Sequence, residues 1–257
     1  MAGSRTGSQI AYPVAGAAMI LALWAIACAV FRIPEVVLPA PDRVFVAFVD
    51  SADMILREGW VTLLETVLGF ALAMLVGLPL AVAIANSRPL NLMFYPLLVA
   101  LQSVPKVALA PIILVWLGTG LGSKLAIVWL VAFFPIIIDT AAGLRSTPRE
   151  LVQLARSLKA SPWQMFYKVQ FPAALPFVLT GAKVAITLAV IGAVIGEFMG
   201  SSSGLGYLLL SATSQLNTPL AFAALFALSI LGLAVYAAVE IVEVLIARWL
   251  PPKATGH

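Results

Sequence analysis

Residues 145–176 read RSTPRELVQLARSLKASPWQMFYKVQFPAALP, the one long polar interruption in the second half of an otherwise apolar chain. The stretch predicts two short helices. Thr147 is placed to cap the first, with Pro148 at its first position and Glu150 three residues after the cap. Leu151, Leu154, Ala155 and Leu158 then share one face at helical spacing. Ser161-Pro162-Trp163-Gln164 repeats the start signal for a second helix, which Pro172 and Pro176 end as the next apolar run begins. Arg149, Arg156, Lys159 and Lys168 lie on the polar faces. A basic helix–turn–helix can bind DNA, but hydrophobic spans flank this one on both sides, so nucleic acid is not the expected partner. A loop that only fixes membrane orientation needs positive charge. It does not need two capped helices, which favours a docking element for a cytoplasmic partner.

Composition sets the class of the whole chain. Of 257 residues, 62% are apolar and 10% charged, against about 25% charged in soluble domains. Mean hydropathy is +1.07, so an integral membrane protein is expected. Cys28 is the one cysteine and lies in an apolar run, which leaves no disulfide framework and makes it a core thiol. The only histidine is His257. No nucleotide-binding motif, metal-ligand cluster or Ser/His/Asp constellation is present, so an intramembrane enzyme is unsupported and no catalytic or metal-binding residue is assigned. Gly118-Thr119-Gly120-Leu121-Gly122 fails as a phosphate loop, because the Gly-Lys-Ser/Thr order is missing and no strand precedes it.

Outward from the central loop, six apolar spans follow from length and hydropathy. They are about 12–31, 60–85, 92–117, 124–142, 173–199 and 219–247. The first reads as an uncleaved span after a polar tail at 1–11. Between the first two, Val44, Phe45, Phe48, Val49, Ala52, Ile55 and Leu56 form the apolar stripe of an amphipathic helix. Pro96, Pro105 and Pro111 break the third span. Tyr207-Leu208-Leu209-Leu210 suggests a re-entrant or surface helix, and Pro251-Pro252 ends the structure. One membrane domain at 12–250 is expected, with short tails at 1–11 and 251–257.

Six spans put both termini on one side. With the termini inside, Arg5, Arg88, Arg145, Arg149, Arg156, Lys159, Lys168, Arg248 and Lys253 are cytoplasmic, and Arg32, Arg43, Arg57 and Lys124 external. The excess places both termini and the 145–172 loop in the cytoplasm. Ionisable groups within spans are functional candidates. Glu240 and Glu243 can reach Arg248 or the interface, Lys183 can snorkel inward, and Asp139 sits near the inner end of the fourth span. Lys106 follows Pro105 in the broken third span, where a kink suits a water-filled cavity. It fits a pathway lysine, which would favour an anion, or an ion pair with Asp139 or Glu65. Glu197 fits the outer interface or the pathway. Gly181, Ala185, Ala189 and Ala193, with Gly192, Gly196 and Gly200, form a small-residue seam that suits bundle packing, a pathway lining or a dimer interface.

These residues resemble binding-protein-dependent ABC transporter permeases of the nitrate/sulfonate/taurine-type branch. The family's coupling-loop motif, Glu-Ala-Ala, three residues, Gly, nine residues, Ile-x-Leu-Pro, meets Gln153-Leu154-Ala155, Lys159, Val169, Phe171 and Pro172 here; only Ala155 and Pro172 are identical. The wider branch pattern is closer: Leu151, Ala155-Arg156, Leu158, Ala160-Ser161, Trp163, Phe166 and Pro172-Ala173-Ala174-Leu175-Pro176. Leu38-Pro39-Ala40-Pro41, Gly118-x-Gly120 with Ser123-Lys124, Gly196-Glu197-Phe198 and Gly204-Leu205-Gly206-Tyr207 fit it too, so the resemblance spans roughly residues 36–250. Gln153 stands where the family has an acid, and Lys159 where it has a turn glycine. A positive φ there would cost Lys near 1 kcal/mol, partly offset by a cation at a helix C-terminus.

The resemblance implies an all-α permease of the type I importer fold in a bacterial inner membrane, itself non-catalytic. It implies two permease copies in a homodimer, two cytoplasmic ATPase subunits that hold the ATP and Mg, and an external substrate-binding protein. The solute would be small, of sulfonate, nitrate, taurine or pyrimidine-precursor type, and would cross by alternating access. Glu150, Leu151, Gln153, Leu154, Ala155, Arg156, Leu158, Lys159, Ala160, Ser161 and Trp163 would couple to the ATPase, the apolar members filling its groove and Arg156 and Lys159 at the rim. The resemblance also favours the pathway reading of the fifth span, and so of Gly192, Gly196 and Glu197 beside Lys106. The competing expectation is a self-contained secondary transporter of a small anion, which would work without an ATPase, but no convincing internal inverted repeat is found.

Overall fold

The computed structural model describes residues 3–247, with side chains from 11 to 246. The 251–257 tail, its Pro251-Pro252 stop and the cytoplasmic charges Arg248 and Lys253 lie outside the described residues. In chain order the helices are α1 (Gly3–Phe31), α2 (Pro41–Asp50), α3 (Ala52–Asn86), α4 (Arg88–Gln102) and, after a 3-10 turn at Lys106–Leu109, α5 (Ala110–Leu117). Then come α6 (Leu121–Arg145), α7 (Arg149–Ser157), α8 (Pro162–Met165), a π-helical turn (Phe166–Gln170), α9 (Phe171–Phe198), α10 (Leu205–Ser214) and α11 (Thr218–Ala247). Five helices among the described residues are long and apolar enough to cross a membrane. The pair from Arg88 to Leu117, bent by 90° at its break, counts as a sixth when its two arms are taken as one span. Pro105 stands at that break, where the ladder lacks one donor.

Small residues decide how the bundle closes. In lipid, helices gain no hydrophobic drive toward each other, so packing distance governs their association. Along α3, Gly69 lies against Val128 and Gly77 against Ile136 of α6. Along α9, Gly192 lies against Val128, Gly196 against Lys124 and Gly181 against Asp139, again on α6. A Cβ at Gly192 would stand 3.0 Å from the Val128 backbone. The seam of the fifth span therefore packs against α6 at Gly181, Gly192 and Gly196. At the edge of the bundle, α1 leaves Val14, Met19, Ile26 and Val30 exposed and packs Trp24 onto Phe222 and Phe226 of α11. Cys28 is buried and its thiol points at the Leu38 carbonyl, a core position.

Several boundaries differ from the sequence expectation. The first helix starts at Gly3, so residues from 3 onward join it rather than a tail; a helix already nucleated extends cheaply. The amphipathic stripe breaks at Ser51. Val44 and Ile55 are buried, whereas Phe45, Val49 and Leu56 are exposed, because the two halves belong to different helices. Thr147 does not cap α7: its hydroxyl donates back to the Leu144 carbonyl at 2.9 Å, and Pro148 takes the cap position without a side-chain bond. Pro176 does not end a helix but lies inside α9. The π-helical turn just ahead shifts the ladder where Pro172 lacks a donor, so residues 162–198 run on as one apolar helical span.

Candidate functional site

The 145–172 loop is a built surface. Gln164 N–H donates to the Ser161 hydroxyl at 3.3 Å, and Ser161 N–H to Gln164 Oε1 at 2.9 Å, a reciprocal capping box. Ahead of it, α7 ends at Ser157, and Lys159, two residues on, has a φ of 55°. The Lys159 N–H reaches the Arg156 carbonyl at 2.9 Å and the Ala160 N–H reaches that of Ala155 at 3.0 Å. Those bonds satisfy the last carbonyls of the helix as a left-handed C-terminal cap does. The position that the family gives to glycine thus has the glycine conformation, with Lys in it.

Ala155 turns toward the protein, while Leu154, Leu158 and Trp163 are 57%, 75% and 71% exposed. Leu151 is exposed beside them, and Trp163 stacks on Tyr167 with ring centroids 6.3 Å apart. Glu150, Gln153, Arg156, Lys159 and Ser161 are exposed around this apolar strip and Ala160 is half-buried. Glu150 sits in the first turn of α7, where the helix dipole favours an acid. Arg145 lies over the Tyr95 ring at 3.9 Å and donates to Asn91 at 3.3 Å, tying the base of the loop to α4.

A second cluster lies at the opposite ends of α3, α6 and α9. Glu58, Thr62 and Glu65 follow one face of α3 at i, i+4 and i+7. Lys124 reaches Glu65 Oε1 at 2.6 Å with both side chains buried. Thr62 donates to Glu197 Oε1 at 2.6 Å and accepts from the Leu205 N–H at 2.8 Å. The Gly206 N–H donates to the other Glu197 oxygen, and the Gly204 N–H to Glu58. Three successive N–H groups opening α10 are thereby held by side chains from α3 and α9, doing what a local N-cap otherwise does. Gly204 has φ 105°, and a Cβ there would run into the Glu197 carboxylate, so both conformation and space call for glycine.

This cluster revises several expectations. Lys124 is not an exposed loop charge, because α6 begins at Leu121 and carries it inward. Glu65 pairs with Lys124, and Glu197 sits in a buried bond network rather than at an interface. Lys183 pairs with Glu243 of α11 instead of snorkelling. Glu58 and Thr62 escaped the sequence reading, although their spacing with Glu65 in an apolar helix is a legible signal. Lys106 bonds to the Gln102 carbonyl at 3.2 Å and lies 4.9 Å from the Phe134 ring centroid, half-buried at the bend. It meets neither Asp139 nor Glu65.

Residues 69–250 match the family model described as the binding-protein-dependent transport system inner membrane component. The chain belongs to this family. The permease is 36% identical to a probable ABC transporter permease protein of Haemophilus influenzae, over 86% of this chain and 91% of that one. It is also 36% identical to the formylaminopyrimidine transport permease protein ThiX of Halalkalibacterium halodurans, over 90% and 92%. Its fold matches a chain of the inward-facing MetNI methionine ABC transporter with a TM-score of 0.58, at 23% identity, over 74% of this chain and 98% of that one. The permease has the all-α type I ABC importer fold. It is a multi-pass, non-catalytic membrane subunit of an importer that works with an external substrate-binding protein. Nothing observed favours a self-contained secondary carrier.

Proposed function

We propose that two copies of this permease form the membrane core of the importer, with the 145–172 loops seated in grooves on two cytoplasmic ATPase subunits. ATP and Mg are held by the ATPases, and both permease termini are cytoplasmic. The observation that carries this reading is the exposed apolar strip Leu151, Leu154, Leu158 and Trp163 on a capped, structured loop. Such aromatic and aliphatic anchors dominate interface energies, while Arg156 and Lys159 at the rim steer encounter. Because α8 runs through the π turn into the fifth span, a displacement at Trp163 is passed to the bundle over about 50 Å of helix. The two ATPase states then become two arrangements of the spans, which gives alternating access. Membrane lipid covers the remaining apolar faces, and Lys106 at the bend of the third span faces the solute path. The cargo is a small solute; the likeness to a formylaminopyrimidine permease supports a nitrogen heterocycle.

Leu154→Glu tests the docking. The variant is expected to reach the membrane in normal amount but to lose both the ATPase on affinity purification and solute uptake. Retained association and uptake would refute the docking surface.

A further inference from the structure

Four buried polar side chains meet where α3, α6 and α9 converge, and heavy-atom hydrogen bonds leave one oxygen among them unexplained. Glu65 is 2% exposed, Glu197 1% and Lys124 7%, with Thr62 fully buried between them. Lys124 donates to Glu65 Oε1 at 2.6 Å. Glu197 Oε1 takes the Thr62 hydroxyl proton at 2.6 Å, and its other oxygen takes the Gly206 N–H. Glu65 Oε2 is buried, and no N–H or hydroxyl among the described residues donates to it. What it meets is Glu197, with which Glu65 is in hydrogen-bond contact. Ionised carboxylates are acceptors only, so a hydrogen bond between two of them needs a proton on one.

Charge counting gives the same answer. The groups facing this pair are Glu58 on α3, Lys124 on α6 and the backbone N–H groups that open α10. Glu58 is only half-buried and takes the Gly204 N–H. Residues 198–239, which hold α10 and α11 as far as Val239, have no charged side chain, and Tyr207 is the one titratable side chain of α10. Fully ionised, Lys124, Glu65 and Glu197 would set two buried negative charges against one positive. Adjacent carboxylates in a dry site do not both ionise, and a single proton makes the trio neutral. We infer that Glu65 and Glu197 form a proton-binding site, with one proton held between Glu65 Oε2 and Glu197, and that this proton is the latch tying α10 to α3 and α9. The proton belongs to the pair rather than to either residue. Its loss to water turns the contact into repulsion between two carboxylates. Glu197 is then driven off Glu65, and the Gly206 N–H and the Thr62 hydroxyl lose their acceptor. An open cavity of about 700 Å3, lined by Lys124, Thr119 and Ser201–Ser203 among others, brings solution to the edge of the cluster.

The site depends neither on the docking surface nor on which face of the membrane it lies at. Glu65→Gln tests it without emptying it. The amide oxygen still accepts from Lys124, and the amide N–H donates permanently to Glu197, so the variant copies the protonated state and cannot titrate. Infrared spectra of the complete transporter at neutral pH are expected to show a protonated-carboxyl C=O band that Glu65→Gln lacks. Bands from acids elsewhere cancel in the difference. Hydrogen exchange, corrected for the intrinsic pH dependence of amides, reads the latch. In the parent, protection at residues 204–206 is expected to fall at least about tenfold as pH rises into the alkaline range, while residues 149–160 stay as they were. In Glu65→Gln it is expected to stay constant. Absence of the difference band would overturn the shared proton. Protection that falls equally in both proteins, or in neither, would overturn the latch. If Glu65→Gln does not assemble, the parent decides: band and protection are expected to be lost over one pH range, and loss of either alone overturns the inference.

Discussion

Lys159 holds φ at 55° at the end of α7, a conformation that costs an L side chain about 1–2 kcal/mol. Two backbone bonds, to Arg156 and Ala155, hold the turn in place. Lys159→Gly is expected to stabilise the turn by up to about 1 kcal/mol, slowing hydrogen exchange of the Lys159 and Ala160 amides about fivefold. Faster exchange would mean that the lysine charge at the helix C-terminus contributes more than the strain costs. Lys106 presents the opposite case, a charge that forms no ion pair among the described residues and is held by one carbonyl and one aromatic face. Lys106→Met is expected to cut uptake severalfold while the complex purifies intact. Loss of the complex instead would make Lys106 a structural residue.

At the scale of elements, α10 is attached through its N-terminus. Glu197, Thr62 and Glu58 take the amide protons of Gly206, Leu205 and Gly204. Glu197→Ala leaves the Gly206 N–H and the Thr62 hydroxyl without that acceptor, at about 1–3 kcal/mol for each buried group. Exchange at residues 204–206 is expected to quicken at least tenfold, while residues 149–160 stay as they were. Glu197→Gln keeps an acceptor and is expected to fall between. An equal rise at both places would make Glu197 a contributor to global stability instead of the tie for α10. The elements also explain why periodicity misled at residues 44–56. A stripe drawn on one continuous helix mixes faces once Ser51 breaks it, and α3 continues with its own burial pattern from Ile55 through Thr62, Glu65 and Gly69. Thr147 failed as a cap for a local reason: α6 is extended to Arg145, so the hydroxyl finds the Leu144 carbonyl first.

For the whole molecule, the proposed docking strip and the Glu197 cluster lie at opposite ends of one helical run, with Trp163 near its start and Glu197 near its finish. In the proposed assembly, motion imposed on the loop is passed along this run toward the residues that hold α10. The left-handed position at Lys159 was implied only by the glycine that the resembled family has there; the sequence by itself determined the membrane class, the apolar spans, the broken third span and the helix start at Ser161. Each of these follows from composition, from apolar run length or from contacts within a few residues. Only the tertiary structure decided which charges meet. Lys124 and Glu65 are 59 positions apart, and Thr62 and Glu197 are 135 apart. Helical periodicity assigns a residue to a face but says nothing of the face opposite it. That choice was made by Gly69, Gly77, Gly192 and Gly196, which let α3 and α9 close onto α6 at one register and so brought Glu65 to Lys124 and Glu197 to Thr62.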